Sequence, residues 1–354
     1  MPAHDLYPRF LTHLRQSAML PSSAQILLAC SGGLDSTVLL HLLHRLAARM
    51  QWRLVVGHIN YGQRGAASEA DEVAVRQMAA DWGLPIRVDG GFAASAQDGN
   101  FQDRARAYRY RRFGEWMVAE ALDTLCTAHH RDDQVETVLH HLLRGAGTKG
   151  LSGMAAVASL PVLEPNAAIP GAYRLVRPLL PFARSELDTY ARAHALPWRE
   201  DASNQSPRYL RNRIRHELVP LLRDMAPRID ERLVDLAALS QELEVHLVSE
   251  AELFFKTQCH ITKEKDETLA SNELKNKEKI YFDRQPFLAR SPAVQGAVLA
   301  YVLRRAFPGT FFSRETLDKL SRLIIEGQAH AFYTLPGGGV FEKDARAVTI
   351  VFPT

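Results

Sequence analysis

The chain has 354 residues, 46% of them hydrophobic, enough for two domains with cores of their own. Its formal net charge of +3 is too small to single out a polyanionic partner, although arginines cluster locally. Three cysteines, Cys30, Cys126 and Cys259, form no C-x-x-C pair and are odd in number, which argues against a disulfide framework or a thiolate metal site and fits a reducing cytoplasm.

Residues 1–20 are interrupted by Asp5, Arg9, His13 and Arg15, unlike a signal peptide, and no segment reaches the roughly 20 apolar residues of a membrane span. A cytoplasmic protein with no membrane partner is expected. Residues 25–30 are a short apolar run ending at a glycine pair, which reads as a buried strand. Residues 37–50 place Val38, Leu39, Leu42, Leu43 and Leu46 at helical spacing. Residues 53–60 are the next strand, and 68–82 a helix with Ser68 as its N-cap and Gly83 as its stop. Residues 86–88 read as strand, 105–121 as helix, 124–128 as strand and 132–144 as a helix closed by Gly145 and Gly147. This alternation predicts an α/β fold, a doubly wound, Rossmann-like parallel sheet with helices on both faces. A ligand sits beyond the C-terminal strand ends of such a sheet. The polar clusters 31–36, 58–64 and 129–136 each follow a strand and converge there.

The second half is expected to be mainly α-helical, with helices over 184–195, 211–223, 229–255, 287–307 and 315–326. Residues 263–279, charged and poor in apolar side chains, read as an exposed loop. Residues 331–352, around Pro336-Gly337-Gly338-Gly339, read as a short β-hairpin. The domain boundary is placed near 215–228, giving domains 1–220 and 221–354.

The strongest motif is Ser31-Gly32-Gly33-Leu34-Asp35-Ser36-Thr37, between a buried strand and an amphipathic helix. Two glycines let the backbone turn tightly and approach a phosphate. The helix start supplies unpaired N–H groups and a positive dipole end. Ser31, Ser36 and Thr37 add hydroxyl donors. The motif lacks the lysine of a Walker loop. Asp35 beside phosphates implies a bridging cation, Mg²⁺. An ordinary Gly-containing turn with a capping aspartate is the plain alternative; the hydroxyls and context favour pyrophosphate.

The second motif runs from His129 to Thr137. On a helix, Asp133, Glu136 and Thr137 share a face, while Asp132 is placed to act as a cap. Two such acids suit Mg²⁺ or an amine; a solvated acidic helix start is the plainer reading. The third signal is basic: Arg208, Arg211, Arg213 and Arg215 beside Tyr209, and a second cluster including Arg106 and Arg109. Arginine forks suit phosphate and tyrosine can stack on a base; a solvated cationic face is equally weighted. His41, His44, His140 and His141 read as packing or surface residues.

The S-G-G-x-D-S turn resembles the signature of PP-loop ATP pyrophosphatases, which cleave ATP to AMP and pyrophosphate. The stretch from His129 to Thr137 resembles the H-x-x-D-D-x-x-E-T element of the tRNA(Ile)-lysidine synthetase family. The resemblance continues in His58-Ile59-Asn60, Ala105–Tyr110, Arg177-Pro178-Leu179-Leu180 and Leu210–Arg215, covering roughly residues 24 to 222. It implies an ATP-dependent ligase that adenylates the wobble cytidine of the isoleucine tRNA with a CAU anticodon, after which free L-lysine displaces AMP. Carried over by position, Asp35 would hold Mg²⁺ or orient reacting groups. Arg109 and His129 would touch phosphate or the activated base. Asp133 and Glu136 would bind the lysine ammonium, and Arg211, Arg215 and, more weakly, Arg64 would contact tRNA. Tyr61 stands where family members often carry His. Beside longer members the C-terminal region is short. A thiolase-like tRNA modification is disfavoured by the cysteine count, and a non-catalytic nucleotide- or RNA-binding module would not need Asp133 and Glu136. Oligomeric state, a homodimer included, stays open.

Overall fold

The computed structural model describes residues 6–62, 65–92, 101–160, 173–199, 210–265, 276–310, 312–326 and 330–353. The chain divides into two compact units, Met1–Leu239 and Ser240–Thr354. In the first, strands β1 (Gln25–Ala29), β2 (Arg53–Ile59), β3 (Ile86–Asp89), β4 (Thr124–Cys126), β5 (Val157–Ser159) and β6 (Arg174–Val176) form one sheet in the order β3-β2-β1-β4-β6-β5. Neighbours run parallel except β5 against β6. Helices α1 (Leu6–Ser17), α2 (Leu34–Met50), α3 (Ala66–Asp81), α4 (Phe101–Ala119), α5 (Arg131–Leu143), α6 (Thr148–Leu151) and α7 (Arg184–Ala193) complete this α/β layer structure.

The expected doubly wound parallel sheet is present. Strand alternation decides which helix packs where. Ile26 and Leu28 of β1, with Leu54 and Val56 of β2, join Val38, Leu42 and Leu187 in one core. Leu27 and Val55 point the other way, into a second core with Phe113, Trp116 and Met117 of α4. Both faces of β1 are therefore covered, which is why its sequence is apolar without alternation. One cap differs from expectation: α3 begins at Ala66 behind Gly65, whose φ is +49°, and Ser68 is buried in the first turn rather than capping it.

Beyond the sheet, α8 (Leu210–Arg213), a π-helical turn (Ile214–Leu218) and α9 (Val219–Met225) form one helical run. Ile214 and Val219, with Leu233 and Ala237 of α10 (Ile229–Gln258), pack on Val135, Val138 and Leu139 of α5. That packing carries the first unit to residue 239, beyond the boundary expected at 215–228.

The second unit holds more sheet than a hairpin. Strands β7 (Cys259–Lys265), β8 (Asn276–Asp283), β9 (Ala331–Thr334), β10 (Val340–Lys343) and β11 (Ala347–Pro353) form an antiparallel sheet in the order β7-β8-β11-β10-β9. Helices α11 (Arg284–Leu288), α12 (Pro292–Ala306) and α13 (Arg314–Glu326) accompany it, around a core that includes Phe254, Phe282, Leu299, Ile324 and Phe341. The loop expected over 263–279 is corrected at both ends. Residues 263–265 and 276–279 are ladder positions, with Lys263 opposite Glu278 and ion-paired to it at 2.8 Å. Residues 266–275 lie outside the described set. No helix among the described residues is long and apolar enough to cross a membrane.

Candidate active site

In the first unit β2 and β3 lie on one side of β1, and β4 and β6 on the other. Chain connections diverge between β1 and β4, so a crevice opens at their C-terminal ends. The glycine turn leaves β1 there. Gly32 adopts φ +84°, and a Cβ at this position would stand 3.1 Å from Val75 Cγ2. Its carbonyl accepts a hydrogen bond from the Arg199 N–H at 3.1 Å. Ser36 Oγ accepts from the Ser31 N–H at 3.2 Å and donates to the Gly33 carbonyl at 3.0 Å, while Ser31 Oγ accepts from the Gly33 N–H at 3.3 Å. The two serines thus shape the turn. Thr37 is fully buried and Leu34 nearly so, which leaves only the Leu34 backbone for a ligand and withholds the Thr37 hydroxyl from it.

Above the turn lies a cavity of about 240 Å³, lined by Ser31, Gly33, Asp35 and Ser36 on one side. Tyr61 and His129, which follow β2 and β4, and Arg109 in the middle of α4 also line it. His129 shares a hydrogen bond of 2.9 Å with Thr127 Oγ1. Burial pushes the His129 imidazole down to about 4, against the Asp133 charge and with the guanidinium groups of Arg177, Arg109 and Arg211.

The acidic start of α5 faces the same crevice. His130, which the sequence reading passed over, is the hub. Its side chain is 3% exposed, with Nε2 3.6 Å from Asp35 Oδ2 and 3.5 Å from Asp133 Oδ2, and Nδ1 3.7 Å from Asp132 Oδ2. Burial opposes its charged form, yet the hydrogen bond to Asp35 and the charges of Asp133, Asp35 and Asp132 outweigh this and raise its pKa. Asp133 is held below the ordinary carboxylate range: burial opposes this, but His130, His129, Arg211 and the His130 N–H prevail. That N–H lies 3.1 Å from Asp133 Oδ2, so Asp133 rather than Asp132 caps α5. Asp132 instead accepts the Arg184 N–H at 2.9 Å and Arg223 Nη2 at 2.7 Å.

Glu136 is also 3% exposed and accepts from both forks of the helical run, Arg215 Nε at 2.5 Å and Arg211 Nε at 3.0 Å. Arg211 Nη2 lies 3.3 Å from Asp133 Oδ1. Residues read as an ammonium site and as an RNA contact are therefore partners of one another, across 75 residues of sequence. Arg64 lies outside the described residues.

The arrangement suits a divalent cation bridged to phosphate. Asp35 Oδ1 is buried with no hydrogen-bond partner. Among the described residues no three His, Cys, Asp or Glu side chains are arranged so as to hold a metal ion by themselves. Mg²⁺ ordinarily takes one or two carboxylates and completes its shell with phosphate and water oxygens, which this donor set fits.

Comparison with known proteins agrees with this fold. The family model of the PP-loop domain matches residues 6–222. A tRNA(Ile)-lysidine synthase of Chlorobaculum tepidum is 36% identical over 219 residues, covering 61% of this chain and 62% of that protein. One from Pseudomonas aeruginosa is 40% identical over 249 residues, covering 69% and 51%. The chain thus spans about half to under two thirds of the length of these relatives. Among solved structures, the U34-tRNA thiolase NcsA of Methanococcus maripaludis shares the fold, with a TM-score of 0.54 at 17% identity over 66% of this chain and 78% of that one.

Proposed function

The chain belongs to the PP-loop family, and on that premise we propose that it performs the chemistry of a tRNA(Ile)-lysidine synthase, joining free L-lysine to the wobble cytidine of the CAU-anticodon isoleucine tRNA at the expense of ATP. One observation carries the reading. His130 brings Asp35 of the phosphate turn and Asp133 of α5 within 3.6 and 3.5 Å of a single nitrogen, so the nucleotide turn and the acidic helix share one reaction centre.

In the first step the C2 carbonyl oxygen of the cytidine attacks the α-phosphorus and the bond to pyrophosphate breaks. Negative charge grows on the leaving group, which the α2 N-terminus and Arg109 would stabilise. Asp35, with Asp133 nearby, would hold Mg²⁺, which supplies charge neutralisation at the phosphates. In the second step the lysine amine attacks C2, loses a proton and displaces AMP. A free lysine amine has a pKa of about 10.4 and arrives as an ammonium. Asp133 and Glu136 supply the carboxylates to bind it, and the proton passes to solvent, since Asp133 is held below the ordinary carboxylate range. His129, kept neutral by burial, is a hydrogen-bonding partner for the adenylated base rather than a cation. Arg211, 48% exposed on its side chain, has room to turn toward an RNA phosphate, and Arg215 anchors Glu136 behind it.

The test is incubation of the protein with labelled L-lysine, ATP and a CAU isoleucine tRNA transcript, followed by nucleoside analysis. Label is expected in the wobble nucleoside, with one AMP and one pyrophosphate released per event. Asp35→Ala should abolish incorporation while leaving thermal unfolding near that of the parent protein. Pyrophosphate release without lysine transfer would point to a different acceptor on the same adenylating site.

A further inference from the structure

The glycine turn is gripped from outside the strand and helix that it joins. Its entry is fixed by the Cys30 N–H, which donates to the Gly57 carbonyl of β2 at 2.9 Å, and its exit by the Thr37 N–H, which donates to the Gly33 carbonyl at 3.0 Å. The peptide between Gly32 and Gly33 is flanked by two residues without a Cβ, so it can rotate with little steric penalty. The Arg199 N–H opposes that rotation by holding the Gly32 carbonyl at 3.1 Å. The Arg199 backbone crosses the turn so closely that its own carbonyl would stand 4.0 Å from a Cβ at Gly33. Arg199 is in turn anchored by its side chain, with Nε 2.7 Å from Asp71 Oδ1 on α3, 128 residues away in sequence. Asp71 is 8% exposed, and its carbonyl would stand 3.6 Å from a Cβ at Gly32. Helix α3 and the segment after α7 therefore bear on the same glycine pair.

A peptide unit is planar and trans, so fixing the direction of its carbonyl fixes that of its N–H. With the Gly32 carbonyl on Arg199, the Gly33 N–H is sent the opposite way, to Ser31 Oγ at 3.3 Å. Ser36 donates its hydroxyl proton to the Gly33 carbonyl at 3.0 Å, so in its 3.2 Å contact with Ser31 it is the acceptor. The Ser31 hydroxyl, exposed and lining the cavity, keeps the proton that an anion can claim.

Resting on the nucleotide-binding reading, we propose that Asp71 and Arg199 are positioning residues for the phosphate groups. Their ion pair locks the Gly32–Gly33 peptide, and through it the Ser31 hydroxyl, in the orientation that receives an anion. Neither residue lines the cavity above the turn.

The test is calorimetric titration of the full chain with inorganic pyrophosphate, ATP and adenosine, without tRNA or lysine. For Asp71→Asn, simple electrostatics and positioning predict opposite signs. Removing a carboxylate near an anion site strengthens anion binding, whereas releasing the peptide weakens it, because affinity falls with the fraction of molecules in the competent orientation. A turn that keeps that orientation about one fifth of the time loses about fivefold in pyrophosphate and ATP affinity, with adenosine changed by less than about twofold. Arg199→Met should match this loss and add nothing to Asp71→Asn. Its deficit should persist in about 0.5 M salt, where a direct charge contact would be screened. The Arg199 side chain is 47% exposed, so this variant carries the test if Asp71→Asn does not fold. Unchanged or tighter pyrophosphate binding by Asp71→Asn, equal losses for adenosine, or an Arg199→Met deficit that vanishes in salt would overturn the proposal. Failure of the parent protein to bind pyrophosphate or ATP would overturn the nucleotide reading itself.

Discussion

Replacing Glu136 by Gln is the sharpest probe of the arginine-bound acid. The side chain is 3% exposed and accepts three hydrogen bonds from two guanidinium groups. Breaking a buried ion pair by removing one partner costs about 3–5 kcal/mol. Here the side chains left behind, Arg211 and Arg215, are 48% and 33% exposed, so water recovers part of the loss. We therefore expect a destabilisation of about 1.5–3 kcal/mol, which is about 1 M in a urea midpoint. All four tryptophans, Trp52, Trp82, Trp116 and Trp198, lie in the first unit, so their fluorescence reports the unit that contains the pair. Combined with Arg215→Met, the double-mutant cycle should show a coupling of about 1–2 kcal/mol. A loss below about 0.5 kcal/mol for Glu136→Gln, the range of ordinary surface changes, together with an additive cycle, would refute the pairing.

Gly32→Ala places a Cβ at φ +84° and 3.1 Å from Val75 Cγ2, so it should cost about 1–2 kcal/mol and weaken ATP binding; thermal unfolding and nucleotide titration check both. Arg211→Ala should weaken tRNA binding and reduce the salt slope by about one, and an unchanged slope would remove it from the phosphate contacts. Stability should decline as pH falls from 6.5 toward 4, because burial pushes both His129 and His41 down to about 4, with the charges of His194, Arg45 and His44 adding at His41. Each is neutral when folded, so its contribution is present above the ordinary histidine value and is lost as the unfolded chain takes up protons first. His130 opposes the trend, since its raised pKa contributes stability at low pH that fades as pH rises. Unfolding curves of the parent and of His41→Gln across that window test this, the variant showing the shallower decline.

Strands β1, β2 and β4 were legible as short, mainly apolar runs, and the turn after β1 by its glycine pair. Strands β5 and β6, of three residues each, were too short to leave a pattern. Strands β7 and β8 were misread because Lys263, Glu264, Lys265, Lys277, Glu278 and Lys279 look like a charge run, although charge protects an edge strand such as β7 from unwanted pairing. The individual acids and arginines of the site were legible from their motifs. Their pairing was not, because residues 136 and 215 meet only through the packing of Ile214 and Val219 on α5. His130 was hidden by its neighbour: two adjacent histidines gave no sign of which one points inward.

The π-helical turn at Ile214–Leu218 works as a phase corrector. Each residue of an α-helix advances the azimuth by about 100°, and a wider turn advances less, so side chains past it rotate back by part of that angle. Arg211 upstream and Arg215 within the turn look at Glu136; downstream, Arg223 still reaches Asp132 on the same helix α5. One extra residue thus keeps three guanidinium groups trained on one acidic stretch over three successive windings. Shortening the turn by a single residue would swing Arg223 away while leaving every side chain in place chemically, so this segment should tolerate substitution far better than deletion.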